Sequence, residues 1–312
     1  MGITVIGAGI SGLTSAIRLR EAGFAADIVA ADLPLDTAAS AVAGAIWYPY
    51  RSVRDPRAER WGSRSLDVFW GGAEAGLPGL AIRPMLELLP RPMDDPWWAP
   101  VARNFRRPDP TVLRGGHEDG WEIDTVVIDV KPHLLYLAQR FESLGGSIEV
   151  QRLESLDEVA ADVVVNCSGV GARRLAEDEQ VAPIRGQVVR VSGAAVDRVT
   201  MAERGPMPLT YVMPHGDECI LGGTTEAGEW DRVEDSEITA AILERAAILE
   251  PSLTGADVVE VRVGLRPGRP SVRLERHGRF IHNYGHAGNG WSLSWGCADE
   301  VVELVGEFRQ AR

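Results

Sequence analysis

Three glycines and one acid near the start of the chain have the spacing of a device that holds phosphates and a ribose. Gly7, Gly9 and Gly12 form G-x-G-x-x-G directly after the apolar run Ile3-Thr4-Val5-Ile6, and Asp32 follows 20 residues after the last glycine. In this pattern the first glycine permits a tight turn, the second lets backbone approach a pyrophosphate, and the third lets helix and strand pack closely. The N–H groups that open the next helix, from Ala8 to Ser11, face the phosphates, and the acid takes the ribose hydroxyls. The motif predicts a dinucleotide site without choosing among FAD, NAD and NADP; the competing reading is a plain glycine-rich turn. A second candidate is Arg266. The segment Val258 to Arg266 alternates as a strand, with Val261, Val263 and Leu265 on one face and Arg262, Gly264 and Arg266 on the other. Gly264 leaves room beside a guanidinium that can hold a carboxylate through two parallel hydrogen bonds, worth about 1.5–3 kcal/mol each. The alternative is a structural ion pair, since Arg262 to Arg279 is rich in arginine. No Ser-His-Asp pattern, H-E-x-x-H or phosphate loop with Gly-Lys-Ser/Thr is present, so a cofactor must carry the chemistry and the protein must orient the substrate.

The elements that position these residues read as follows. A buried strand over residues 3–6, a helix from Ser11 with Gly23 as its C-cap, and a strand from Asp27 to Ala31 open the chain. The small-residue run Ala38 to Ala45 predicts backbone passing close to something flat. The cluster Ile46-Trp47-Tyr48-Pro49-Tyr50 then walls a cavity or, on the bland reading, joins a core. A helix is expected from Arg57 to Phe69, and Pro84 to Pro110 is too proline-broken for long elements. Thr125 to Val130 reads as strand, followed by a helix with Pro132 in its first turn and Gly145-Gly146 at its end. Strands follow at 147–153 and 161–165, the latter opening into Asn166-Cys167-Ser168-Gly169 as a central parallel strand does at a ligand. Short antiparallel strands are expected over 186–191 and 209–224, with a turn at His215-Gly216-Asp217. A helix capped by Asp235 ends at Pro251, and a last helix is expected from Ala298 to Phe308.

Length and composition set bounds. The 312 residues suffice for two domains. A hydrophobic content of 45% and a mean hydropathy of -0.07 are those of a soluble globular protein. A formal charge of -13 argues against nucleic acid and anionic membrane as partners. No run reaches the ~18 apolar residues of a membrane span. The start lacks a basic n-region and reads as mature fold rather than leader. Cys167, Cys219 and Cys297 are too few and scattered for a disulfide framework or a zinc site, so no metal is expected and a reducing cytoplasm is.

Several blocks together closely resemble the D-amino-acid oxidase family. They are Val5 to Gly9, Ala43-Gly44-Ala45-Ile46-Trp47-Tyr48-Pro49-Tyr50, Val165 to Gly169, Arg185-Gly186-Gln187, Val263 to Glu275, and the most specific, Ile281-His282-Asn283-Tyr284-Gly285-His286-Ala287-Gly288-Asn289-Gly290. The resemblance runs along nearly the whole chain in the family's order. It implies an α/β fold in which a doubly wound, Rossmann-like FAD-binding domain (1–47, 132–187 and 266–312) interleaves with a mixed or antiparallel-sheet substrate domain (48–131 and 188–265). It implies that Arg266 pairs with the substrate carboxylate, that the Tyr211 hydroxyl also reaches it, and that the Gly288 carbonyl accepts from the amino group. Three contacts on one Cα point its hydrogen at the flavin only for the D enantiomer. Hydride transfer then needs no protein base, water hydrolyses the imino acid, and O2 reoxidises FAD to give H2O2. Cofactor contacts are implied at Gly7, Ala8, Gly9, Ser11, Gly12, Asp32, Gly44, Ala45, Ile46, Leu153, Ser168, Gly169, Ala287, Gly290, Trp291 and Ser292.

Some positions depart from the family pattern. Met207 stands where well-studied members have a second active-site tyrosine, so it is expected in the substrate pocket with Ile46 and Tyr48, softening it. Tyr48 replaces a glutamine or histidine, Gly171 a tryptophan and Asn289 a tyrosine. The expected activity is oxidative deamination of neutral, apolar D-amino acids. The rivals are D-aspartate oxidase, for which Arg204 and His215 are the nearest second cations, an NAD(P)-dependent dehydrogenase, and a silent flavin-binding protein. Partners are a D-amino acid and O2, and the chain is expected as monomer or homodimer.

Overall fold

The computed structural model describes residues 1–35, 38–49 and 55–310; Tyr50, which belongs to the expected aromatic cluster, lies outside them. Strand-forming runs buried on both faces build one sheet, and alternating runs build the other. The first sheet has six strands in the order Arg273–His277, Phe280–Tyr284, Val163–Asn166, Ile3–Ile6, Ala26–Ala30, Ile148–Val150. All neighbours are parallel except the outermost pair 273–277 and 280–284. The helices Ile10–Glu21, Val130–Ser143 and Gly290–Gln310 pack together and bury Leu13, Ile17, Leu137, Phe141 and Val301. This is the expected doubly wound arrangement, and its central strand is the one that feeds the glycine turn.

The second sheet has ten strands and is mixed. Its ladder contains the row Trp121, Glu87, Met201, Tyr211, Gly222, Val188, each the cross-strand partner of the next, so these residues share one face. The helix Ser236–Leu249 covers the opposite face with Ile242 and Ala246 against Val189, Val191, Val212 and Leu221. The Asp235 carboxylate accepts from the Glu237 and Ile238 N–H groups, as the capping pattern predicts. The long strand Asp257–Gly268 lies beside Ala182–Ser192, and Ala45–Ile46 pairs with Asp119–Ile128. Both long strands cross the residues 187 and 265 at which the sequence reading changes domain.

Two elements differ from expectation. Leu80–Leu89 is a ten-residue strand despite Pro84. Pairing with Val199–Ala202 begins only at Met85, so the missing proline N–H faces solvent and costs the ladder nothing. The last helix begins at Gly290, eight residues before the expected start. Within these added turns Gly296 is required: a Cβ there would stand 2.2 Å from the Trp61 Cα of the helix Pro56–Glu74 packed against it.

Candidate active site

The two sheets enclose a cavity of about 630 Å³ that runs from the glycine turn to Arg266. Its first end is built as the spacing predicts. Gly7 has φ +103°, and a Cβ on Gly12 would stand 1.8 Å from the Gly7 carbonyl oxygen, so helix and strand meet with no room for a side chain. Gly12 therefore acts by packing and does not line the cavity, whereas Gly7, Ala8, Gly9, Ser11 and Asp32 do. The run Ala38 to Ala45 crosses over this turn. The Ser40 hydroxyl accepts from the Ile10 N–H at 3.0 Å, and Val42 lies 3.0 Å from where a Gly264 Cβ would be. Small residues on both sides thus let two sheets and a turn converge on one space.

The opposite end is organised by Arg266. Its Nη1 donates to the Thr224 carbonyl at 3.0 Å, and the guanidinium occupies the space above Gly186, whose Cβ would be 2.2 Å from Nη1. Tyr211 lies under Gly222, whose Cβ would be 2.1 Å from the Tyr211 Cζ. Burial raises the Tyr211 phenol above its ordinary range, and the neighbouring Arg266 offsets part of that effect. The hydroxyl therefore stays a donor at neutral pH beside a fixed cation. The walls here are Ile46, Tyr48, Met201, Leu209 and Met213. Tyr48 is locked by Ser292, whose Oγ accepts from the Tyr48 N–H at 3.0 Å and donates to its carbonyl at 2.8 Å. Its ring stacks edge-on against Trp98, which meets Trp121 in the same way.

Gly44, Ala45, Ile46, Leu153, Ser168, Gly169, Ala287, Gly288, Gly290, Trp291 and Ser292 line the same cavity. Met207 does not. It packs with Val112 and Leu113 against Leu86, Leu88, Ala202 and Leu249. Leu86 and Leu88 alternate with Glu87, so this cluster is on the sheet face away from Tyr211, and the expectation of Met207 in the pocket is corrected. Met201, Leu209 and Met213 supply the softness instead. Met213 was legible from its i+2 relation to Tyr211; Met201 needs the strand register. Arg204 and His215 are also absent from the cavity. The Arg204 guanidinium lies over the Trp121 ring, and burial lowers His215 to about 4, so it is neutral at pH 7.

His286 also lines the cavity, a position that no motif or spacing in the sequence singles out. It is 4% exposed, burial lowers it to about 4, and its Nε2 has no hydrogen-bond partner among the described residues. The same is true of the Asn283 Oδ1 in the cavity wall. Unpaired buried polar atoms beside a glycine cradle fit a long polar ligand. FAD fits this donor set: Gly7 to Ser11 and Asp32 would hold its pyrophosphate and ribose, and Ala43 to Ile46 with Gly288 to Ser292 would hold its ring end. No described group of His, Cys, Asp and Glu could hold a metal ion, and no described helix is long and apolar enough to cross a membrane.

Comparison with known proteins agrees with the geometry. The chain is 44% identical to a D-amino-acid oxidase of Rubrobacter xylanophilus, covering 97% of this chain and 95% of that one. It is 38% identical to one of Streptomyces coelicolor, over 97% and 96%, and 33% identical to a human D-aspartate oxidase, over 98% and 94%. In fold it is similar to glycine oxidase from Geobacillus kaustophilus, with a TM-score of 0.82 at 21% identity, covering 98% and 94% of the two chains. The family of FAD dependent oxidoreductases (DAO) matches residues 2–304. With the cradle, the paired Arg266 and Tyr211, and this match over almost its full length, the chain is a flavoenzyme that belongs to the DAO family of FAD-dependent oxidoreductases.

Proposed function

We propose that the protein oxidatively deaminates neutral, apolar D-amino acids to 2-oxo acids in a reducing cytoplasm, releasing ammonia and reducing O2 to H2O2. The observation that carries this reading is the junction of Arg266 and Tyr211 with apolar walls at the far end of the dinucleotide cavity. Arg266 holds the α-carboxylate through its fork and Tyr211 donates a further hydrogen bond. The Gly288 carbonyl accepts from the amino group and fixes which hydrogen of Cα faces the ring. FAD, when bound, supplies the hydride acceptor. Ile46, Tyr48, Met201, Leu209 and Met213 exclude water and offer an uncharged side chain an apolar place, worth ~25 cal/mol per Å² of apolar area covered. No side chain of the site has to act as base, and among the described residues none of its buried walls carries a second cation.

The test is anaerobic bleaching of the flavin spectrum by D-valine, D-leucine and other D-amino acids, with the L forms as controls. Bleaching by the apolar D forms alone is expected. Bound FAD that none of them bleaches would sink the reading, as would absolute dependence on added nicotinamide nucleotide. The similarity to D-aspartate oxidase makes D-aspartate a required member of the panel.

A further inference from the structure

The cavity that takes the substrate also holds two thioethers, and the proposed reaction releases an oxidant beside them. Of the six methionines, Met201 and Met213 line the cavity and the other four do not. Met85 lies in the core, Met207 packs on the far sheet face, Met1 is exposed and Met93 is half-buried. Met213 and Tyr211 share one face of the strand Thr210–His215, and Met201 is the cross-strand partner of Tyr211.

Geometry singles out Met213. A Cβ on Gly44 would stand 3.1 Å from the Met213 Sδ and 3.3 Å from the Tyr211 Cε2. The sulfur therefore rests on the bare backbone of Gly44, next to the Tyr211 ring. Gly44 belongs to the run Ala43 to Ile46, which lines the cavity and fits the ring end of FAD. Met213 is 2% exposed, so an oxidant in bulk solution must pass through the cavity to reach its sulfur. Peroxide formed at the ring starts there.

We propose that Met213 is a self-modification site, its thioether oxidised to the sulfoxide by hydrogen peroxide released into the cavity during turnover. This rests on the proposed oxidation of D-amino acids with O2 as acceptor. The sulfur lone pair attacks one peroxide oxygen, the O–O bond breaks, and the proton on the attacked oxygen passes to the leaving one. One sulfoxide and one water result; the sulfur loses the two electrons that the peroxide gains. An apolar wall becomes polar where an apolar substrate side chain rests, so the change raises KM. Activity then declines with the peroxide the protein has made and not with the peroxide around it.

The experiment turns over the holoenzyme with D-valine and O2 in the presence of catalase, which clears peroxide from bulk solution but is too large to enter the cavity. Mass mapping of peptides then reads the sulfoxide at each methionine against the number of turnovers. Expected is sulfoxide at Met213 about fivefold or more above that at Met1 and Met93. The same run without catalase should add sulfoxide at Met1 and Met93, and hydrogen peroxide given without substrate should oxidise those two first. Wild-type activity should decline with turnover, carried by KM, and Met213→Leu, normalised to its own initial rate, should lose most of that decline. Met213 left as thioether after turnover, protection of Met213 by catalase equal to that of Met93, or sulfoxide at Met201 in its place overturns the assignment. Failure of every D-amino acid to bleach the flavin overturns the proposed function. Flavin photoreduced and then reoxidised by O2, again with catalase, makes peroxide in the same cavity without a D-amino acid and decides Met213 independently.

Discussion

The guanidinium of Arg266 lies in the space that a side chain on Gly186 would fill: a Cβ there would be 2.2 Å from Nη1 and 2.5 Å from Nη2. Gly186 is thus half of the proposed carboxylate site although it has no group to offer. Gly186 and Gly264 are cross-strand partners, so the guanidinium leans across a floor of two glycines towards Tyr211. Gly186→Ala should push the fork away from the α-carboxylate and leave the rest of the sheet intact. Kinetics with the best D-amino acid should show kcat/KM reduced by about 10–100-fold, the equivalent of about one charge-assisted hydrogen bond. FAD content should be unchanged. An alanine variant with wild-type KM would show that Arg266 does not hold the substrate.

Tyr211 should contribute less, because in the proposed site its hydroxyl adds a single hydrogen bond to a carboxylate whose charge Arg266 balances. Tyr211→Phe is expected to lower kcat/KM by about 5–10-fold, mainly through KM. Burial raises the phenol from its ordinary value of 10.0, so the neutral donor persists through the neutral and mildly alkaline range. The pH profile of the wild-type enzyme should therefore show no loss attributable to Tyr211 below about pH 10. A wild-type profile that falls near pH 9 while the phenylalanine variant stays flat would contradict this assignment.

The glycines of the turn should differ from one another. A methyl group on Gly12 meets the Gly7 carbonyl oxygen at 1.8 Å, a backbone atom that cannot move without opening the strand–helix junction. One on Gly9 meets the Ser40 Oγ at 3.2 Å, the tip of a side chain that can rotate. Gly12→Ala is accordingly expected to abolish FAD retention and lower the melting temperature of the apoprotein. Gly9→Ala should fold normally and weaken FAD binding alone. Apoprotein melting with flavin titration separates the two, and equal behaviour of the variants would refute the distinction.

The parts legible in the sequence were those written in local periods. The strand at 3–6, the glycine turn and the acid at 32 are adjacent in the chain, so their joint geometry follows from one βαβ unit. Arg266 was visible because alternation over Val261 to Leu265 put it on a polar face. The rest depended on pairing between distant strands. Met201 reaches the cavity only because its strand lies in register between Glu87 and Tyr211, and Met207 leaves it because the same register turns its loop to the far face. His286 was read as part of a block and not as a group with its own chemistry, since burial decides its neutrality and one sequence does not report burial. Gly290 and Gly296 hid eight residues of helix, their cause being a helix-to-helix contact with Trp61 rather than a turn.

Glu87 gives the last prediction, and it concerns pH and stability. It is 1% exposed, neither carboxylate oxygen has a hydrogen-bond partner among the described residues, and it shares the sheet face of Met201 and Tyr211. Burial first, and then the nearby Glu203, raise it from 4.5 to about 8, against a smaller opposing pull from Arg204. The folded form therefore keeps a proton that the unfolded chain has released over the window between those two values. There the native state binds more protons, so raising the pH favours unfolding, by at most ~1.4 kcal/mol per pH unit for one group. Below the window both states are protonated, and above it both are ionised, so the contribution is constant at either end. Glu87→Gln retains the shape of the protonated acid and removes the titration. Urea midpoints measured at about pH 5, 6.5 and 8 should show the wild type losing stability relative to the glutamine variant across the series. The buried histidines titrate identically in both proteins and cancel in the difference. Parallel pH curves for the two proteins would mean that Glu87 is ionised in the folded sheet, with a partner that its geometry does not reveal.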